Sequence, residues 1–477
     1  SWARLSRWLW SCRRCRHTRC GKLAFVTVPE TRYATSGDLR IAFQHFGEGP
    51  RLLLVPGLVS NIEVCWEHET TTRILDTMAR YATVVQFDKR GIGLSDRPDR
   101  APSLAERIAD MTAVMDAVGW DRASVLGVSE GGVMGQLFAA EFPERVDRLI
   151  LHNTFPAARY WDRLPNHVKD GDAPVLAGAQ LRERWDSIAN GWPDNSQEFV
   201  DWIMPTQSGN ESFVRWVSRF QRLSASPRDF RRQLDSVFML DPGDSAQRIT
   251  SPTLVVHLKG DRVLPVSGGR LLAELITGAT YVEVDADDHF SWASPSWRAI
   301  VDPMLEFLTG APVERLAARR FATVVFTDIV DSTRTSGALG DAAWRALLDD
   351  HDRLARKLVD HHGGRVVKST GDGLLIVFDA PSQGVDCGRA LCHELAGLGI
   401  QIRAGVHAGE IEVRDDLDIA GIAVNLAARV EQAASDGEFW ASSTVRDMML
   451  GGSAHFDDRG DHELKGIDGT WRLFAVA

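Results

Sequence analysis

What this chain lacks narrows it first. No run of about 18 apolar residues occurs among its 477 positions, so no membrane-spanning helix is expected. Cysteine is scarce, six in all, with Cys12, Cys15 and Cys20 crowded near the start and Cys65, Cys387 and Cys392 scattered among core-type neighbours. That excludes a disulfide-stapled scaffold and makes reduced thiols in a cytoplasmic protein the simple expectation. Acid is missing altogether from residues 1–22, which carry seven basic residues between Arg4 and Lys22 and leave −18 on the remainder of a chain totalling −11. So acidic a body argues against nucleic acid as a bulk partner. No internal repeat is found, and the chain reads as a series of distinct domains.

What is present is ordinary in bulk and specific in detail. Hydrophobic residues make up 44% and charged residues 25%, and the length suits two or three globular domains. In the first segment, Cys12, Cys15, Cys20 and His17 are of the types that bind zinc, but their spacing matches no strong ligand pattern, and an unstructured basic tail is the other reading. Its apolar stretch Trp8–Trp10 is too short for a signal-peptide core. From Leu39 onward, short apolar runs (RIAFQHFG, RLLLVPG, TVVQFD, ASVLGVS) alternate with helical periodicity such as SLAERIADMTAVMDAVG. This alternation predicts a mostly parallel sheet covered on both faces. Residues 157–250 break the rhythm. They are helical in pattern and rich in Trp (Trp161, Trp185, Trp192, Trp202, Trp216), and are read as a cap whose Trp side chains either line a site or are core. TLVVHLKGD and ATYVEVDADDHF resume the strands.

Gly127-Val128-Ser129-Glu130-Gly131 lies between a strand pattern and a helix pattern, the context of a nucleophile elbow. Glycines flank the Ser because side chains on so tight a turn would collide with neighbouring strands. The hydroxyl then projects above the sheet, where N–H groups opening the next helix can hold an oxyanion. Asp261 in HLKGDRVLPV and His289 in DADDHFSW follow in the order Ser, Asp, His. His289 is the candidate base for Ser129, and Asp261 the candidate group that orients its imidazole. Leu58, after Pro56-Gly57, and Glu130 are the candidate oxyanion donors through their backbone N–H groups. With FDKRGIGLSDR at 87–97, these residues resemble the α/β-hydrolase superfamily over about residues 23–308. Pro56 departs from the His usual there, at a contact made by backbone. A Ser nucleophile favours an ester, thioester or amide, and the Trp-rich cap an apolar acyl or aromatic group. A shell that binds an ester-like or apolar small molecule without turnover is the other reading.

Downstream, Asp328 ends the strand pattern FATVVFTDI, and Asp372 lies in KSTGDG ahead of the buried-type run LLIVFD. Antiparallel pairing of those runs would bring the two carboxylates together, as two Mg²⁺ ions bridging triphosphate oxygens require. Asp-Gly is also a common hairpin turn in its own right. Asn425 and Arg429 stand one helical turn apart on one face. With Lys368, Asp418 and, in HELKGIDG, Lys465, this set resembles the class III nucleotidyl cyclase family over about residues 319–477. The resemblance implies that Asp328 and Asp372 hold two Mg²⁺ or Mn²⁺ ions and that Lys368 and Asp418 read the base. Asn425 would position the ribose, Arg429 stabilise charge on the α-phosphate, and Lys465 meet the terminal phosphates. An ammonium donor for adenine N1 and a carboxylate acceptor for its N6 amino group select ATP, whereas guanine presents the wrong groups at both points. The family builds its site between two antiparallel domains. One domain carrying both halves of the set implies a homodimer.

The expected organisation is therefore a basic tail (1–22), an α/β-hydrolase domain (23–309), a short charged, partly helical connector (310–320) and an α+β cyclase domain with a ferredoxin-like core (321–477). The expected activity is conversion of ATP to 3′,5′-cyclic AMP and pyrophosphate, the first domain serving as esterase or ligand sensor. The alternative is a serine hydrolase carrying a nucleotide-binding domain that does not cyclise.

Overall fold

The alternating apolar runs become strands of two separate sheets in a computed structural model, which describes residues 28–156, 168–170, 173–175, 178–314, 318–369, 371–414 and 418–477. The chain divides into two compact units, Ser1–Glu314 and Arg315–Ala477. The basic tail with its Cys and His, Trp161 and residues 315–317 of the connector lie outside the described residues.

In the first unit, β1 (Arg32–Ser36), β2 (Leu39–Gly47), β3 (Arg51–Val55), β4 (Thr83–Phe87), β5 (Ala123–Val128) and β6 (Val146–His152) lead into the cap. After it come β9 (Thr253–Leu258) and β10 (Thr280–Val284). The sheet order is β1-β2-β4-β3-β5-β6-β9-β10, antiparallel at the β1 edge and parallel from β4 onward. All six positions of β5 are buried, as a central strand covered on both faces must be. Helix α1 (Glu69–Tyr81) packs on one face, and α2 (Leu104–Ala117) and α3 (Glu130–Glu141) on the other. A capping box, Ser103 with Glu106, starts α2.

The cap holds α4 (Gly178–Gly191), α5 (Ser196–Ile203), α6 (Glu211–Ser224) and α7 (Pro227–Val237). It also holds a short antiparallel pair, β7 (Val168–Asp170) and β8 (Ala173–Val175), in a stretch expected to be helical. Three-residue strands are too short to show a period. Helix α8 (Trp297–Thr309) closes the unit.

In the second unit, β11 (Ala318–Ile329) is central. It pairs antiparallel with β13 (Leu374–Phe378), Thr327 opposite Leu374, and with β14 (Ile402–Val413), Asp328 opposite Arg403. The strand starts at Ala318 rather than Phe321, and residues 318–320 belong to the sheet because they continue the β14 register to Val413. With β12 (Arg365–Ser369), β16 (Phe439–Ser442), β17 (Phe456–Glu463) and β18 (Thr470–Val476), the order is β12-β13-β11-β14-β16-β18-β17, and β15 (Ile419–Ala420) adds to β14. Helices α9 (Asp341–His361) and α10 (Pro381–Gly397) cover one face and α11 (Ile422–Ala433) the other. Helix α11 rests on β14 at Gly405, where a Cβ would lie 2.1 Å from the Glu431 nitrogen, so this approach needs glycine. No helix of the described residues is long and apolar enough to cross a membrane.

Candidate functional site

Ser129 occupies the turn between β5 and α3 with φ 53° and ψ −123°, a strained conformation for a residue with a side chain. Tight packing around the turn explains its glycines. A Cβ on Gly127 would sit 2.6 Å from the Gly131 carbonyl oxygen, and one on Gly131 would sit 2.3 Å from that of Val55. His289 Nε2 lies 3.0 Å from Ser129 Oγ, and His289 Nδ1 lies 2.7 Å from Asp261 Oδ2. The other Asp261 oxygen accepts the Val263 and Leu264 N–H groups at 2.8 and 3.0 Å. Burial alone would raise the Asp261 carboxyl, but the charge and hydrogen bond of His289 outweigh it and hold the group below its ordinary value. The three side chains are thus connected in the sense needed to carry a proton from Ser129 to His289.

In front of Ser129 lies a cavity of about 160 Å³, lined among others by Leu58, Phe155, Trp216, Phe220, Phe290 and Trp292. Leu58 and Glu130 both border it, as oxyanion donors there would have to. The cap's Trp residues divide. Trp185 and Trp216 face the cavity, whereas Trp192 and Trp202 are buried, Trp192 stacked on Phe230 with centroids 3.9 Å apart.

The Glu130 side chain was missed by the sequence reading. It is buried with Lys89 Nζ at 2.8 Å and in ion-pair contact with Arg107. Arg107 donates to Gln233 of α7 at 2.8 Å, and Gln233 donates to the Arg90 carbonyl at 2.7 Å, so one polar network joins the elbow to the cap. Burial, reinforced by Arg107, pushes the Lys89 ammonium well down; burial, opposed by Asp110 and aided by Arg90, takes Arg107 to about 9. Nothing in the local pattern announces this cluster, because its members come from segments far apart in sequence. The three described cysteines are free, with buried thiols raised above the ordinary range.

In the second unit, the β11–β13 register sets Asp328 at the end of one strand and Asp372 just ahead of the other. Both raise the same buried carboxyl, Glu431 of α11. Burial first, then the Asp328 charge, opposed by Arg403 and aided by Asp372, pushes it up to about 7. Arg403, also not singled out from sequence, donates to Asp328 at 2.6 Å. Lys368, at the end of β12, donates to Asp418 Oδ2 at 2.7 Å, and Asp418 accepts the Ile419 N–H at 2.8 Å. Although burial works the other way, the Lys368 hydrogen bond and charge help hold Asp418 below its ordinary value. Asn425 and Arg429 share α11. Arg429 Nε donates to the Lys465 backbone carbonyl at 2.9 Å, so it is Lys465's main chain that meets this helix.

Among the described residues no group of three or more His, Cys, Asp or Glu is placed to hold a metal ion. Two aspartates with hard oxygen donors nonetheless fit Mg²⁺ or Mn²⁺, which commonly bind one or two carboxylates and complete their shell with substrate phosphates and water.

Comparison with known proteins divides the chain at the same place. A family model described as alpha/beta hydrolase fold matches residues 50–293, and one described as adenylate and guanylate cyclase catalytic domain matches residues 317–476. Over 263 residues the chain is 28% identical to 3-oxoadipate enol-lactonase 2 of Acinetobacter baylyi, covering 54% of this chain and 89% of that protein. Over 159 residues it is 33% identical to "Putative adenylate cyclase 3" of Rhizobium meliloti, covering 31% of this chain and 27% of that protein, so the match spans little more than a quarter of that relative. Among solved structures, the enol-lactonase from Burkholderia xenovorans is similar at 22% identity and a TM-score of 0.48, covering 58% of this chain and 100% of that one. The adenylyl cyclase CyaB from P. aeruginosa is similar at 25% identity and a TM-score of 0.32, covering 34% and 95%. The chain belongs to the alpha/beta hydrolase fold family and carries, C-terminal to that domain, a class III adenylate and guanylate cyclase catalytic domain.

Proposed function

We propose that the chain is an adenylate cyclase that converts ATP to 3′,5′-cyclic AMP and pyrophosphate at a homodimer interface. The observation that carries this reading is the 2.7 Å contact between Lys368 and Asp418, which puts an ammonium donor and a carboxylate acceptor side by side. Adenine offers N1 to the first and its N6 amino group to the second. Guanine offers neither. Asn425 orients the ribose, and Arg429 meets the charge that builds on the α-phosphate. Asp328 and Asp372 would hold Mg²⁺ or Mn²⁺, which when bound supply an activated 3′-oxygen and a stabilised pyrophosphate leaving group. The aspartates serve one site and the Lys368, Asp418, Asn425 and Arg429 set the other, so each site takes residues from two copies of the chain. Incubating purified protein with ATP or GTP and Mg²⁺ or Mn²⁺, then identifying products by mass, tests this. Cyclic AMP is expected from ATP, and the absence of any cyclic product would sink the reading.

The triad distances support a second activity, serine hydrolysis of an ester, thioester or amide whose apolar part fills the cavity before Ser129. His289 takes the Ser129 proton, Asp261 holds the imidazolium, and the Leu58 and Glu130 N–H groups receive the oxyanion. The name of the enol-lactonase relative, an acyl-bond enzyme, agrees with this chemistry. Labelling with a fluorophosphonate should modify wild type and not Ser129→Ala. Neither labelling nor turnover across a panel of esters would leave ligand sensing as the role of this domain.

A further inference from the structure

Arg403 stands between two carboxylates of unequal engagement. Its Nη2 donates to Asp328 Oδ2 at 2.6 Å, while its Nε lies 3.6 Å from Glu431 Oε1, too far for a hydrogen bond. Glu431 is 6% exposed, and both that oxygen and Arg403 Nε are buried without a hydrogen-bond partner. A shift of under about 1 Å would join them. Helix α11 cannot retreat from this position without losing its seat on Gly405. A buried acceptor left one step from a guanidinium is costly in this state, and a state that makes the bond would relieve that cost. The charges supply that state, because a divalent cation at Asp328 and Asp372 competes with Arg403 for the same carboxylate.

We infer that Glu431 is the second acceptor for Arg403: the guanidinium caps Asp328 while no cation is there and passes to Glu431 when a divalent cation takes Asp328. The inference rests on the reading of Asp328 and Asp372 as cation ligands. Glu431 is then a positioning residue that acts through Arg403, and the cap on Asp328 lowers the affinity of the empty site for metal.

Mn²⁺ alone, titrated into the full chain without nucleotide and followed by the electron paramagnetic resonance of the free ion, tests this. Arg403→Met should bind Mn²⁺ about 2- to 5-fold more tightly, the range a partly exposed ion pair is worth. Glu431→Met should bind it more weakly by a similar factor, since Arg403 is then left to Asp328. In the Arg403→Met background, Glu431→Met should change nothing. If it weakens binding there as much as in wild type, Glu431 acts by its charge alone and the inference is overturned. Unchanged or weaker binding by Arg403→Met overturns it equally, and decides alone should Glu431→Met not fold. Asp372→Asn separates the two levels. If Mn²⁺ binding survives it, the cation reading falls and takes this inference with it; if binding is lost but Arg403→Met has no effect, only this inference falls.

Discussion

Asp261 is fully enclosed yet keeps its charge, because His289 and two backbone N–H groups replace the water it has lost. Asp261→Asn keeps the shape and removes the charge beside the imidazole, so the proposed ester turnover should fall on the order of 10³- to 10⁴-fold. The fall should lie in kcat, measured beside unchanged binding of an apolar ligand to the same variant. Asp88 behaves oppositely. It accepts from the Ser60 hydroxyl at 2.7 Å and the Leu94 N–H at 3.0 Å, but burial dominates and raises it from 3.8 to about 6. A carboxyl raised in the folded state disfavours folding once the unfolded chain ionises. Wild-type stability relative to Asp88→Asn should therefore decline as pH rises from about 4 to about 6 and be level above that, read by urea unfolding across pH. At this scale the sequence showed Ser129, Asp261 and His289, because chain order and strand context are local signals. It was silent on Arg403 and Glu431, which become notable only through their neighbours.

Helix α3 illustrates what an element adds. Its first residue, Glu130, is named by the elbow motif for its N–H group, but its side chain contacts both Lys89 and Arg107, which come from the β4–α2 connection and from α2. Replacing Glu130 alone removes the carboxylate that buried Lys89 and Arg107 share. Glu130→Gln should cost about 3–5 kcal/mol in urea unfolding of the first unit, and the triple change Lys89→Met, Arg107→Met, Glu130→Leu should recover most of that loss. Equal loss in both would mean that packing, not charge, holds the cluster together. Strand and helix identities were legible because apolar period acts within a few residues, whereas the cap of Ser103 with Glu106 was added by the structure. The β7–β8 pair was not legible, being too short for a period, and the start of β11 at Ala318 was set by its partner strand.

For the whole molecule, a site shared between two copies has a quantitative consequence. Asp372→Ala and Arg429→Ala would each be inactive as cyclases, but an equal mixture allowed to exchange subunits should recover about a quarter of wild-type cyclic AMP synthesis. Half of the dimers would be mixed, each with one intact site of two. No recovery in an exchanging mixture would place all catalytic groups within one copy. By itself the sequence determined the two domain types and pointed to candidate residues in each. Period, turn chemistry and motif spacing are written along the chain and need no distant partner. Only the tertiary structure decided what those residues face: Glu130 beside two buried cations, Asp328 under Arg403, Lys368 against Asp418. Burial and charge pairing depend on which remote segments meet, and that is settled when the sheets form and the helices close over them.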